Sequence, residues 1–196
     1  MNRRFLIAVL CLAGATAAQA VVCEANGGPS NLPATNPDAA YTVHGDGTVT
    51  DTRTGLMWKQ CLEGQSGPAC AGSPTGFDWG AALAQAAASG FAGHTDWRVP
   101  NQKELRSLVE ECRQQPAIND AVFPNTPALD SYAWSSSPRA GAPDYSLLVN
   151  FSTGSATFGV RTAAVPVRLV RAGPPVAPPG GGGSSSAPVA VPTLAH

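Results

Sequence analysis

The stretch Gly93-His94-Thr95-Asp96-Trp97-Arg98-Val99-Pro100-Asn101-Gln102-Lys103-Glu104-Leu105 constrains the fold more than any other part of the chain. A glycine permits a tight turn, an indole requires a core to cover it, and a proline beside a helix start fixes the entry of the chain. Asn101 stands as the N-cap of a helix, and Glu104 three residues later completes a capping-box pair. Arg98 either holds an anion or pairs with a nearby carboxylate and fixes the loop. Trp97 reads as core. No residue in the stretch announces a reaction.

The two ends of the chain have a different character. Met1-Asn2-Arg3-Arg4, the apolar run Phe5 to Ala13 and the small residues Ala18-Gln19-Ala20 form the order of a secretory signal peptide over residues 1–20. The apolar run is too short to span a bilayer. Residues 173–196 hold Pro174-Pro175, Pro178-Pro179, Gly180 to Gly183 and Ser184 to Ser186, a composition that cannot offset its ordering entropy and predicts a disordered tail. Val191-Pro192-Thr193-Leu194 resembles the opening of a bacterial C-terminal sorting signal. Between the ends lie a Pro/Asn/Gly-rich extended arm, 21–40, and one domain, 41–172, long enough to build its own core.

Two of the twelve basic residues sit in the leader, so the exported chain sets ten basic residues against thirteen acidic ones. That balance argues against general nucleic-acid binding. From Ser131 onward, however, the basic residues are Arg139, Arg161, Arg168 and Arg171 against Asp144 alone. This half offers either a local anion-binding face or arginines solvated at strand edges.

Four cysteines follow the leader: Cys23, Cys61, Cys70 and Cys112. An even count in an exported chain predicts disulfides with three possible connectivities. Cys61 and Cys70 bracket a Gly/Ser/Pro loop and are placed to close it, which leaves Cys23 for Cys112. Zinc is the rival reading, but it needs closely spaced ligand pairs that these spacings do not supply.

Along the domain, Tyr41 to His44 and Thr48 to Asp51 flank a Gly-Asp-Gly turn and predict a hairpin. Leu56 to Lys59 is a third short strand. Asp78 caps an alanine-rich helix from Trp79 to about Ser89, with Trp79, Leu83 and Ala86 on one face. The helix after Asn101 carries Leu105, Leu108, Val109 and Cys112 inward and the pair Arg106 and Glu110 outward. Short strands follow at Tyr132 to Ser135, Ser146 to Phe151, Ala156 to Val160 and Val165 to Arg171. Strands, two helices, then strands predict an α+β domain with a small antiparallel sheet and long loops.

Several segments coincide, in order, with one family. They are Thr54 to Lys59, Asp96 to Pro100 with Lys103-Glu104-Leu105, Pro116 to Asn119, Phe123-Pro124, Trp134-Ser135-Ser136, Val149-Asn150-Phe151 and Val167 to Arg171. Together they resemble the DUF1566 family, named also for the C-terminal domain of the Legionella collagen-like adhesin, over about Thr48 to Arg171. The resemblance implies a C-type-lectin-like fold and an exported bacterial module. It also implies an adhesin role, since the best-known relative binds sulfated polysaccharides.

The expected ligand-binding residues are Trp134, Ser135, Ser136, Arg139, Arg161 and Arg168. An exposed indole stacks on sugar faces, and hydroxyls with guanidiniums hold sulfate or carboxylate; the alternative for Trp134 is a buried strand anchor. Trp97, Arg98, Pro100 and Glu104 are expected to be structural. Catalytic signatures are missing: His44 and His94 lie in no HExxH, and there is no GxSxG. No metal or cofactor is expected. The chain is read as a non-enzymatic, exported module, periplasmic, surface-bound or secreted. Its expected partner is a polysaccharide or sulfated glycan. The alternatives are an envelope protein-interaction or structural module and, third, a glycan-acting enzyme.

Overall fold

The computed structural model describes residues 22–25 and 28–174, with side chains from Leu32 onward. The leader 1–20 and nearly all of the tail 173–196 lie outside the described residues. No helix among the described residues is long and apolar enough to cross a membrane.

The fold is mixed α+β with small antiparallel sheets and two helices. The arm region 21–40 is more than extended chain: β1 (Val22–Ala25) and β2 (Gly28–Pro33) pair antiparallel, and a single 3-10 turn follows at Asp38–Ala40. Then come β3 (Tyr41–Val43), β4 (Thr48–Asp51) and β5 (Leu56–Lys59). Asp46 shapes the β3–β4 turn by accepting from the backbone N–H and hydroxyl of Thr48 at 2.9 and 2.7 Å. Gly47 takes a positive φ of 85° there, a conformation that favours glycine.

Helix α1 (Trp79–Ala87) starts as the sequence predicts, with the Asp78 carboxylate accepting from Ala81 N–H at 2.7 Å. Its inward face is Ala82 and Ala86, while Trp79 and Leu83 are only half-buried. Helix α2 (Gln102–Arg106) has the full capping box: Asn101 accepts from Glu104 N–H and Glu104 from Asn101 N–H. It is five residues long. The chain then leaves helical phase, so Leu105, Leu108 and Val109 still reach the core but Glu110 turns inward. The expected outer pair of Arg106 with Glu110 is replaced by Arg106 with Glu111, 3.2 Å apart.

The second half supplies β6 (Tyr132–Pro138), β7 (Tyr145–Asn150), β8 (Ser155–Val160) and β9 (Val170–Ala172). Two larger sheets result, ordered β3-β4-β5-β9 and β6-β7-β8. The last strand therefore returns to lie beside β5, with Trp58 opposite Val170 and Leu56 opposite Ala172.

Alternation along the strands sends successive side chains to opposite faces, and both faces of the four-stranded sheet are covered. Tyr41, Val49, Trp58 and Val170 join Leu105, Leu108, Ile118, Phe123 and Phe151 in one core. Met57 and Leu169 join Ala82, Ala86, Trp97, Trp134, Leu148 and Val167 in the other.

Cys61 and Cys70 form the expected disulfide, with Cα atoms 5.1 Å apart. Cys112 is also disulfide-bonded. The side chain of Cys23, its expected partner, lies outside the described residues.

Candidate functional site

The β6–β7 turn and the adjoining end of β8 carry two guanidiniums that rest on aromatic rings. The turn closes through Ala142 N–H to Arg139 O at 3.2 Å and Arg139 N–H to Tyr145 O at 3.1 Å. Gly141, at φ 72°, reverses the chain. Arg139 then lies over the Phe158 ring, 3.5 Å from its centroid, and 5.6 Å from that of Tyr145. Tyr145 and Phe158 meet edge-on at 5.7 Å.

Arg161 follows β8 and continues its ladder, donating its N–H to Asp144 O at 2.8 Å. Its guanidinium lies 4.1 Å from the Trp79 ring centroid, and its Nε donates to the Ser146 hydroxyl at 2.9 Å. Trp79 is fixed at both ends: its backbone N–H donates to Arg161 O at 2.8 Å and its indole N–H to Ser135 O at 2.9 Å. Among the described residues, neither Arg139 nor Arg161 forms a salt bridge. Strand alternation puts them on opposite faces of the same sheet end, Arg139 with Tyr145 and Arg161 with Ser146. A guanidinium held against a ring loses little further freedom when an anion arrives, and its terminal N–H groups can donate to one.

The other expected ligand residues fall elsewhere. Trp134 is fully buried, and its indole N–H donates to Phe77 O at 2.8 Å. It anchors a core and cannot serve as an exposed sugar platform. Ser135 is also fully buried, its hydroxyl donating to Leu147 O at 2.8 Å. Ser136 is half-buried, with its N–H on Pro100 O at 2.8 Å.

Arg168 is fully buried too. Its guanidinium donates to the carbonyls of Gln60 and Lys59 and to the Thr126 hydroxyl, and it lies 4.9 Å from the Phe123 ring centroid. Burial pulls its pKa down to about 9. Arg168 is therefore an internal tie, and an external anion cannot reach it. Sequence reasoning missed the rings of Trp79, Tyr145 and Phe158.

Trp97 and its neighbours are bonded within their own loop and helix. Trp97 is buried and donates its indole N–H to Phe91 O at 2.9 Å. Arg98 and Glu104 make a bidentate pair with both N···O distances at 2.7 Å. The Arg98 guanidinium and the Asn101 N–H hold the Glu104 carboxyl below its ordinary value, against the opposing pull of burial. Arg98 is thus committed to its own helix. Its backbone also bridges Val170 in both directions, at 2.9 and 3.0 Å. Pro100 is buried beside it.

A cleft of about 620 Å³ is lined by the His44–Gly47 turn, Lys59, the Gln65–Pro68 loop and Phe91. Lys59 is paired with Glu63 at 2.6 Å and stacked on Phe91 at 4.6 Å. The Thr48 hydroxyl, ahead of backbone contacts, holds the Asp46 carboxyl below its ordinary value and keeps it negative. A lysine already paired with Glu63, beside the negative Asp46 carboxylate, does not favour an anion. Among the described residues, no group of His, Cys, Asp and Glu is arranged to hold a metal ion.

No curated protein matches the chain. Residues 47–171, which include α1, the Arg98–Glu104 clamp, both aromatic-backed arginines and all but the final residue of β9, match the Lcl C-terminal domain, an adhesin-associated domain, and the chain belongs to that family.

Proposed function

We propose that this protein is an exported, non-catalytic binding module of the adhesin type, and that it takes an anionic polysaccharide. The observation that carries the reading is the pair of guanidiniums at one sheet end, Arg139 on Phe158 and Arg161 on Trp79, neither with a carboxylate partner among the described residues. Sulfate or uronate groups spaced along a chain suit separated cationic points better than one deep pocket. The pairing of β5 with β9, with helices and long loops between them, supports the C-type-lectin-like architecture that family membership suggests. The Cys61–Cys70 bond supports a location outside the cytoplasm.

The test is a glycan array probed with the purified, oxidised chain at low and physiological salt. Selective binding to sulfated or uronic-acid glycans that weakens with salt is expected. A folded sample that binds no anionic glycan would overturn the reading and turn the search to an envelope protein partner.

A further inference from the structure

Arg139 and Arg161 are close in the ladder, yet their side chains leave it in opposite directions. Only the Asp144–Tyr145 dipeptide separates their backbones: Arg139 N–H donates to Tyr145 O at 3.1 Å and Arg161 N–H to Asp144 O at 2.8 Å. Phe158 stands opposite Leu147, and Val160 opposite Tyr145, which puts Tyr145 and Phe158 on one face of the sheet. The two rings meet there edge-on, and Arg139 covers them. Ser146 stands opposite Gly159 on the other face. A Cβ added at Gly159 would meet Leu148 and Trp134 at 2.9 and 3.5 Å, so that face is the one turned to the core. Arg161 joins it at the rim, with Nε on Ser146 and its guanidinium on Trp79.

The backbone of β7 and β8 therefore lies between the two guanidiniums, and one sulfate or carboxylate group reaches only one of them. A polymer strand that served both has to round the sheet. Over the end it meets Asp144, which is exposed and forms no ion pair among the described residues. A carboxylate on that path repels a polyanion. Round the side it meets β8, the edge strand Ser-Ala-Thr-Phe-Gly-Val, which offers no cation. Neither path holds an anionic chain between the two arginines.

We infer, resting on the glycan reading above, that Arg139 and Arg161 are independent anion sites on opposite faces, and that one copy of this protein bridges two separate stretches of anionic polysaccharide. Each site is set up by its own ring. Trp79 is pinned under Arg161 by Ser135 O and Arg161 O, and Phe158 is held under Arg139 by its place in β8. The sheet between them is a rigid linker that keeps both sites from engaging the same stretch. Cross-linking of the polymer by single copies is thus a function in addition to binding it.

The test pairs a small probe with a long one. The arginine Nε–H signals of the purified, oxidised chain are followed by NMR during titration with a monosaccharide that carries one sulfate. Both arginines should respond. Arg139→Ala should leave the Arg161 response with its midpoint unchanged within about twofold, and Arg161→Ala should leave that of Arg139 likewise. Light scattering is then measured with dextran sulfate, which the parent should cross-link, raising the signal about fivefold or more. Either single variant should bind the polymer without that rise. The exported chain sets ten basic residues against thirteen acidic ones, so bulk charge does not gather it with a polyanion. A single substitution that silences both arginines, a parent that binds dextran sulfate without the rise, or a single variant that still cross-links it would each overturn the bridging and leave the glycan reading standing. A folded chain in which neither arginine responds and no anionic polymer binds overturns that reading, and the bridging with it.

Discussion

Glu110 holds Thr35 through a single carboxylate oxygen, which accepts the Thr35 backbone N–H at 2.9 Å and its hydroxyl at 2.6 Å. The other oxygen accepts Asn36 N–H at 2.7 Å, and Asn36 donates in turn to Val109 O at 2.6 Å. Arg53 closes the clamp from the far side by donating to Thr35 O and to the Asn36 side chain. The arm is thereby fixed to the domain by a carboxylate that is only 1% exposed. Replacing Glu110 with Ala strands these donors and should cost about 2–4 kcal/mol of stability, read from the urea midpoint.

The same carboxylate gives the protein an acid limit. Burial pushes the Glu110 pKa upward, but the hydrogen bonds from Thr35, Asn36 and Cys112 outweigh it and hold the group below its ordinary 4.5. Its contribution is complete above that value and is lost as pH falls from there through the folded-state pKa. Asp46 and Glu104 are lowered as well and act in the same direction. Melting temperature should therefore drop on acidification below about pH 4.5, and Glu110→Gln should flatten the slope without removing it.

Arg168 and Arg139 separate stability from binding. Arg168→Met removes the donor that satisfies the carbonyls of Lys59 and Gln60 and should destabilise the fold by about 3 kcal/mol. Its folded fraction should bind glycans like the parent. Arg139→Ala should do the opposite: unchanged unfolding, with affinity for a sulfated glycan reduced about tenfold and a weaker dependence on salt. Calorimetry of unfolding beside a binding titration reads both.

The Cys61–Cys70 bond closes a loop with a sequence separation of 9. Loop-closure entropy alone assigns such a crosslink about 2–3 kcal/mol. The Cys61→Ala, Cys70→Ala double variant should lose that much in urea denaturation, and it should loosen the Gln65–Pro68 wall of the cleft, seen as faster amide exchange there.

Local signals in the sequence were reliable where a few neighbouring residues decide the outcome. The Asp78 and Asn101 caps and the turn at Asp46 all depend on contacts within a few positions. Glu110 shows where that logic stops. The apolar spacing of Leu105, Leu108 and Val109 reads as continuous helix, which would put Glu110 outside beside Arg106. The helix ends at Arg106, and the contact that recruits Glu110 comes from Thr35, 75 positions away.

Arg168 fails for a related reason. Between Val167 and Leu169, alternation implies a solvent face for it. That holds only for a sheet with one wet side, and here both sides are core. Trp134 and Ala133 are buried on opposite faces in the same way. The stack of Arg161 on Trp79 joins the start of α1 to the end of β8, a pairing that no spacing within either segment encodes.

The return of β9 to β5 gives the domain a mechanical weak point. Whatever lies beyond residue 174 is attached through a strand of three residues, fastened at its end by Gly173 N–H to Gly55 O at 2.8 Å. Tension on the chain from that side is borne first by this short ladder, and only then by the β6–β8 sheet that carries Arg139. If β9 peels away, Trp58 loses Val170 and the core opens beneath it. The pull such a domain can survive is thus set by the bonds of β9 to Leu56–Trp58 on one side and to Arg98 on the other, however tightly the far end grips.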